Sequence, residues 1–217
     1  MAIRDVFSPA DLDAIRDATV AAEARTSGEI VTTVVESCDS YEGALWKSAA
    51  LGSILAALAA GLWTLFVERW GVVWLWLTLP ALTGAAAGFV LPIWFPALHR
   101  ALVGKRLLES RVARRATAAF LEQEVFATRE RSGVLIFVGL FEHRVELLRD
   151  RAAQQSVPAD SWEDLTERLV RGIKKKAAPL ALVQAIEDCG RLLELHGLVR
   201  RDDGEDELPN APRLFDD

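Results

Sequence analysis

Three carboxylates stand where this sequence could do chemistry: Glu29, Glu142 and Asp150. Glu29 opens an apolar run just after the turn Thr26-Ser27-Gly28. Asp150 closes an alternating run immediately before Arg151, and Glu142-His143 fills the tight link between two runs. Carboxylates at strand ends can ligate a hard cation such as Ca²⁺ or Mg²⁺, and such a cation can hold or polarise a phosphate. Glu29 and Asp150 are therefore the candidate catalytic pair, and Glu29, Glu142 and Asp150 the candidate metal ligands. The structural alternative is that Glu29 and Asp150 cap turns or pair with neighbouring arginines. It makes His143 a solvated turn residue, Trp162 a core anchor, and Lys174-Lys175-Lys176 a solvated helix end that suits the helix dipole.

Other chemistries lack their signatures. The chain has no Gly-rich phosphate loop. Cys38 is followed six residues on by Ala44, and Cys189 by Leu195, so the cysteine-x5-arginine plan of thiol phosphatases is excluded. His99, His143 and His196 fall in no zinc spacing. A net charge of −6 argues against nucleic acid as a partner. Two cysteines fit a reducing compartment, with a disulfide between them left open by the sequence.

The elements that must position these residues can be read in order. Ser8-Pro9-Ala10-Asp11 starts a helix with a cap, a proline at its first position and an early carboxylate. Residues 29–36 read as an inner strand, rich in Val, Ile and Thr. A long basic helix runs from about Leu98 to about Arg129, with a break near Gly104. Residues 134–140 and 144–149 form a β-hairpin whose second strand alternates as an edge strand does. Asp160 is placed to cap a helix carrying the stripe Trp162, Leu165, Leu169 and Ile173, and Pro179 begins the last helix, with Gly197 as its C-terminal cap. Strand, helix, strand predicts a parallel crossover. The fold class expected is α/β, a small mixed sheet covered by helices, with a two-helix hairpin inserted.

That hairpin accounts for a conflict in composition. The chain has 217 residues, 51% of them apolar and 26% charged, and a mean hydropathy of +0.18. The apolar residues are concentrated: residues 48–67 and 71–98 carry no charge, and only Glu68-Arg69-Trp70 separates them. Each stretch reaches the roughly 20 apolar residues that a membrane span needs. Trp46 and Trp94 mark one membrane face and Trp63, Trp70 and Trp74 the other. Arg100, Lys105, Arg106, Arg111, Arg114 and Arg115 follow the second span. They place both termini in the cytoplasm and suit anionic headgroups. The segments expected are 1–43 and 99–197 for the water-exposed domain, 44–98 for the hairpin, and 198–217 as an acidic disordered tail.

Several stretches together resemble the TPM domain family, in its bacterial membrane-anchored branch. They are IRDATVAAEARTSGEIVTTV (Ile15 to Val34), TRERSGVLIFVGLFEHRVELLRD (Thr128 to Asp150), SWEDLTERL (Ser161 to Leu169), ALVQAIEDCGRLL (Ala181 to Leu193) and the tail ELPN (Glu207 to Asn210). The resemblance implies an α/β/α sandwich in the bacterial plasma membrane. It implies either an accessory or assembly factor for a membrane protein complex or a phosphatase, with calcium binding in parts of the family. Without a triad, a zinc spacing or a phosphate loop, the expectation is a non-catalytic, membrane-tethered module with a membrane protein partner. The alternative is a metal-assisted phosphatase acting on phosphate esters.

Overall fold

The β-branched run Ile30–Val35 is buried along its whole length, and it forms strand β1 at the centre of a four-stranded sheet. The computed structural model describes residues 3–66, 74–199 and 208–215. It divides the chain into two units, Met1–Asp39 with Glu109–Asp217, and Ser40–Leu108.

In the first unit the sheet has four strands, β1, β2 (Val134–Gly139), β3 (Arg144–Arg149) and β4 (Arg213–Phe215), in the order β3-β2-β1-β4. β2 lies parallel to β1, and β3 runs antiparallel to β2. The expected parallel crossover and hairpin are both present. One face carries Ile30, Val34, Ile136, Val145 and Leu147. It packs against α1 (Ile3–Val6), α2 (Pro9–Glu23), α8 (Ala159–Lys174) and α9 (Ala178–Leu195). The other face carries Val31, Val35, Leu135 and Phe137 and is covered by Val112, Ala116 and Ala119 of α6 (Lys105–Glu122). Helices on both faces make an α/β/α sandwich, and they bury both sides of β1 and β2, which is why those strands read as unbroken apolar runs. A short helix, α7 (Arg151–Ser156), follows β3.

The helix ends follow local chemistry. Ser8 and Asp11 form a reciprocal capping box at α2. After α9, Gly197 adopts φ +88°, and the amides of Gly197 and Leu198 bond back to the carbonyls of Glu194 and Leu193. Three expectations need correction. The basic helix ends at Glu122 rather than near Arg129, because Glu124 turns to φ +54°. Asp160 does not cap α8. Pro158, held at φ −57° and ψ 144°, is the first non-helical residue there, and Asp160 sits inside the first turn. The tail expected to be disordered over 198–217 contains β4 (Arg213–Phe215), paired parallel to Thr33–Val35 of β1. Val199 bridges to Thr26, while Glu207 of the ELPN stretch lies outside the described residues.

The second unit holds α3 (Glu42–Trp63), α4 (Leu75–Trp94) and α5 (Pro96–Val103). Both α3 and α4 are long and apolar enough to cross a membrane. They pack through small residues: a Cβ on Gly52 would lie 2.3 Å from the Gly84 carbonyl oxygen, and one on Gly88 would lie 2.4 Å from that of Ser48. Such close approach is the mode by which helices associate in lipid. Their large apolar side chains point outward, with Leu82 68% and Trp94 76% exposed, the reverse of helices in a water-soluble core. Of the tryptophans expected at the boundaries, Trp46, Trp63 and Trp74 are also exposed; Trp70, with Glu68 and Arg69, lies outside the described residues. The expected break near Gly104 is present, at φ +84° between α5 and α6.

Candidate functional site

The candidate carboxylates fall at opposite ends of the sheet. Val134 donates its amide to the Glu29 carbonyl at 2.8 Å, and Asp150 donates to the Gly133 carbonyl at 2.8 Å. Glu29 and Asp150 therefore flank Gly133 at the amino end of β1 and β2, two strand spacings apart, or about 10 Å between backbones. Both are buried. Glu142 follows the carboxyl end of β2, about 20 Å away along strands of this length. Among the described residues no three His, Cys, Asp or Glu side chains gather so as to hold a metal ion. The three residues expected to share a cation are not brought together.

Asp150 has two structural tasks. It is the N-cap of α7, where its Oδ1 accepts from the Arg151 amide at 2.7 Å. Arg131 clamps the same carboxylate, with Nε 2.7 Å from Oδ2 and Nη2 3.2 Å from Oδ1. Arg131 itself turns at φ +54° and lies over the Phe126 ring at 6.0 Å.

The carboxyl end of the parallel strands is the end where open α/β sheets commonly place ligands. Here Leu140 and Phe141 donate to the carbonyls of Val35 and Glu36, and Glu36 donates to Phe215. The buried Glu142 side chain crosses to the loop after β1. Its Oε1 accepts from the Cys38 amide at 2.8 Å and from the Ser37 hydroxyl at 3.5 Å. Gly139 leaves it room, since a Cβ there would stand 2.6 Å from Glu142 Oε2. Two ion pairs complete this end, Arg111–Asp39 at 2.8 Å and Arg144–Glu109 at 2.7 Å. The chain leaves this unit after Asp39 and returns at Glu109, and each of these two residues is ion-paired within the unit. His143, at φ +51°, bonds its amide to Leu140 and forms the hairpin tip.

Sequence reasoning missed Cys38, Asp39, Glu109, Arg111 and Arg144 at this end. Two of the six basic residues expected near lipid headgroups have ion pairs within the first unit, Arg111 with Asp39 and Arg115 with Glu122 at 3.2 Å. No disulfide joins Cys38 and Cys189. Cys189 is fully buried, and burial, with Glu23 and Asp188 nearby, pushes its thiol well above the ordinary range, which leaves it unreactive. Trp162 is buried, as a core anchor should be.

No family model and no curated protein matches the chain. Among solved structures it is similar to the NMR structure of the BA42 protein from the psychrophilic bacterium Bizionia argentinensis sp. nov. The TM-score is 0.59 and the identity 18%, over 99% of each chain. At that identity the likeness speaks to the fold alone.

Proposed function

We propose that this chain is a two-pass, membrane-tethered module of TPM type in the bacterial plasma membrane, with its termini and α/β unit in the cytoplasm. On this reading it is a non-catalytic accessory or assembly factor for a membrane protein complex. The observation that carries it is the double engagement of Asp150, capping α7 and clamped by Arg131. Oδ1 of Asp150 already accepts from Arg151 and Arg131, and its Oδ2 faces the Arg131 guanidinium, so the protein itself supplies the partners that a cation or substrate would have to displace. The outward apolar faces of α3 and α4 support the tether, because lipid is the environment they match.

The test uses the full chain in proteoliposomes. Release of phosphate from p-nitrophenyl phosphate is measured with millimolar Ca²⁺ or Mg²⁺, alongside resistance of the protein to alkaline extraction from membranes. The expected result is retention in the membrane with no turnover above protein-free liposomes. Turnover that Glu29→Gln or Asp150→Asn abolishes would replace this reading with a metal-assisted phosphatase.

A further inference from the structure

β3 ends the sheet on one side, and its register shows which backbone groups face outward. The bond from the Asp150 amide to the Gly133 carbonyl makes these two a hydrogen-bonded pair. In an antiparallel ladder such pairs alternate, so Leu148, Glu146 and Arg144 direct their backbone groups to β2. Val145, Leu147 and Arg149 direct theirs outward, where no strand among the described residues meets them. A groove of about 660 Å³ lies beside this edge, walled on the far side by Trp162, Thr166, Val170 and Lys174 of α8.

Two features say what the groove accepts. Trp162 is 2% exposed, and its buried indole N–H finds no acceptor among the described residues. A buried donor left unmet is unfavourable, and an occupant offering a carbonyl or carboxylate would relieve it. The charges are also uneven along the groove. Arg149 lies over the Trp162 ring at 5.5 Å, which sets the start of α8 beside the end of β3. Towards the other end, Arg144 is paired with Glu109 and Arg171 with Glu167. Lys174 has no ion pair among the described residues, and Lys175 and Lys176 follow it. That end carries surplus positive charge, while Glu146 disfavours an acid in the middle.

We propose that the groove between β3 and α8 binds an extended segment of a partner protein, added to β3 as a further strand, with an acidic side chain towards Lys174. This rests on reading the α/β unit as an interaction module. A catalytic unit would be revealed by the phosphate-release assay, whereas failure of the groove would be revealed by the peptide experiment alone. Backbone pairing supplies the affinity and the basic end sets the direction, as in other edge-strand recognition. Arg144, Glu146 and Arg149 along the edge limit indiscriminate pairing.

The probe is a displayed library of random peptides of about eight residues, a little longer than a typical strand, selected against the full chain in nanodiscs. Selected peptides should protect the Val145, Leu147 and Arg149 amides from hydrogen exchange and carry Asp or Glu at one end. Methylating alternate peptide nitrogens, so that side chains persist but pairing does not, should weaken binding about tenfold or more. Lys174→Glu should reverse the preferred end charge, and Val145→Pro, tolerated on an outward edge position, should abolish selection. The proposal is overturned if selected peptides protect another surface, if none is enriched, or if backbone methylation changes nothing. It is equally overturned if the β3 amides become protected with rising protein concentration and no peptide, which would place a second copy there.

Discussion

Arg131 holds Asp150 through two of its nitrogens, although Arg131 is 57% exposed and Asp150 only 6%. The asymmetry matters. Removing Asp150 deletes a helix cap and leaves Arg131 without its carboxylate, whereas removing Arg131 leaves a carboxylate that keeps the Arg151 amide. Asp150→Ala should therefore cost about 2 kcal/mol in denaturant unfolding, and Arg131→Ala less than half of that. Neither Ca²⁺ nor Mg²⁺ at millimolar concentration should raise the melting temperature of the parent chain. A rise that Asp150→Asn removes would show binding to the folded state and reopen Asp150 as a ligand.

The hairpin makes a sharper prediction because it contains its own control. Gly52 has no room for a Cβ, while one on Gly61, in the same helix, would meet nothing within 4 Å. Gly52→Leu should force α3 and α4 apart and destabilise the hairpin by about 2 kcal/mol or more. Gly61→Leu should leave it unchanged. Resistance of the purified protein to unfolding by SDS compares the two directly, and equal losses would refute packing through the small-residue face.

Much of this molecule could be read from its sequence, for identifiable reasons. Long periodic or uncharged segments gave helices, two of them long and apolar enough to cross a membrane, and β-branched runs gave buried strands, because burial on both faces leaves no room for polar residues at β1 and β2. The tail was misread. Arg213-Leu214-Phe215 is too short to show alternation, and its acidic surroundings suggested a solvated chain, yet β1 offers it an open edge. The candidate site was legible only as residue types. Chemistry-bearing residue types do not reveal their partners: pairing of Asp150 with an arginine was one of the two readings open to it, but that the arginine is Arg131, nineteen positions earlier, was not visible. The contact between Cys38 and Glu142 gave no signal because it spans 104 positions.

That contact is itself testable. Glu142 holds the Cys38 amide at 2.8 Å, and Gly139 provides the space for its carboxylate. Gly139→Ala should displace the carboxylate and loosen the loop that carries Cys38. Cys189 is buried and does not compete for reagents. Labelling of Cys38 by a maleimide should thus accelerate several-fold in Gly139→Ala and in Glu142→Gln, with the sheet intact by circular dichroism. Unchanged labelling in both variants would mean that Glu142 does not hold this loop.

Glu146, half-buried on the edge strand, predicts a pH dependence of defined sign. Burial raises its carboxyl above the ordinary 4.5, and Glu109 adds to this, while Arg144 and Arg149 oppose it. A carboxyl with a raised folded-state value binds its proton more tightly when folded, so the folded state is favoured at low pH. That contribution is complete below about 4.5 and is lost as pH rises through the folded-state value. Replacing Glu146 with Gln removes the titration but keeps the shape. Glu146→Gln should therefore be more stable than the parent chain at neutral pH, with the difference shrinking as pH falls towards 4 and below. Denaturant unfolding of both chains across this range measures it. An advantage for the parent chain at neutral pH would mean that Arg144 and Arg149 outweigh burial, and that the edge of β3 holds its charge at full strength.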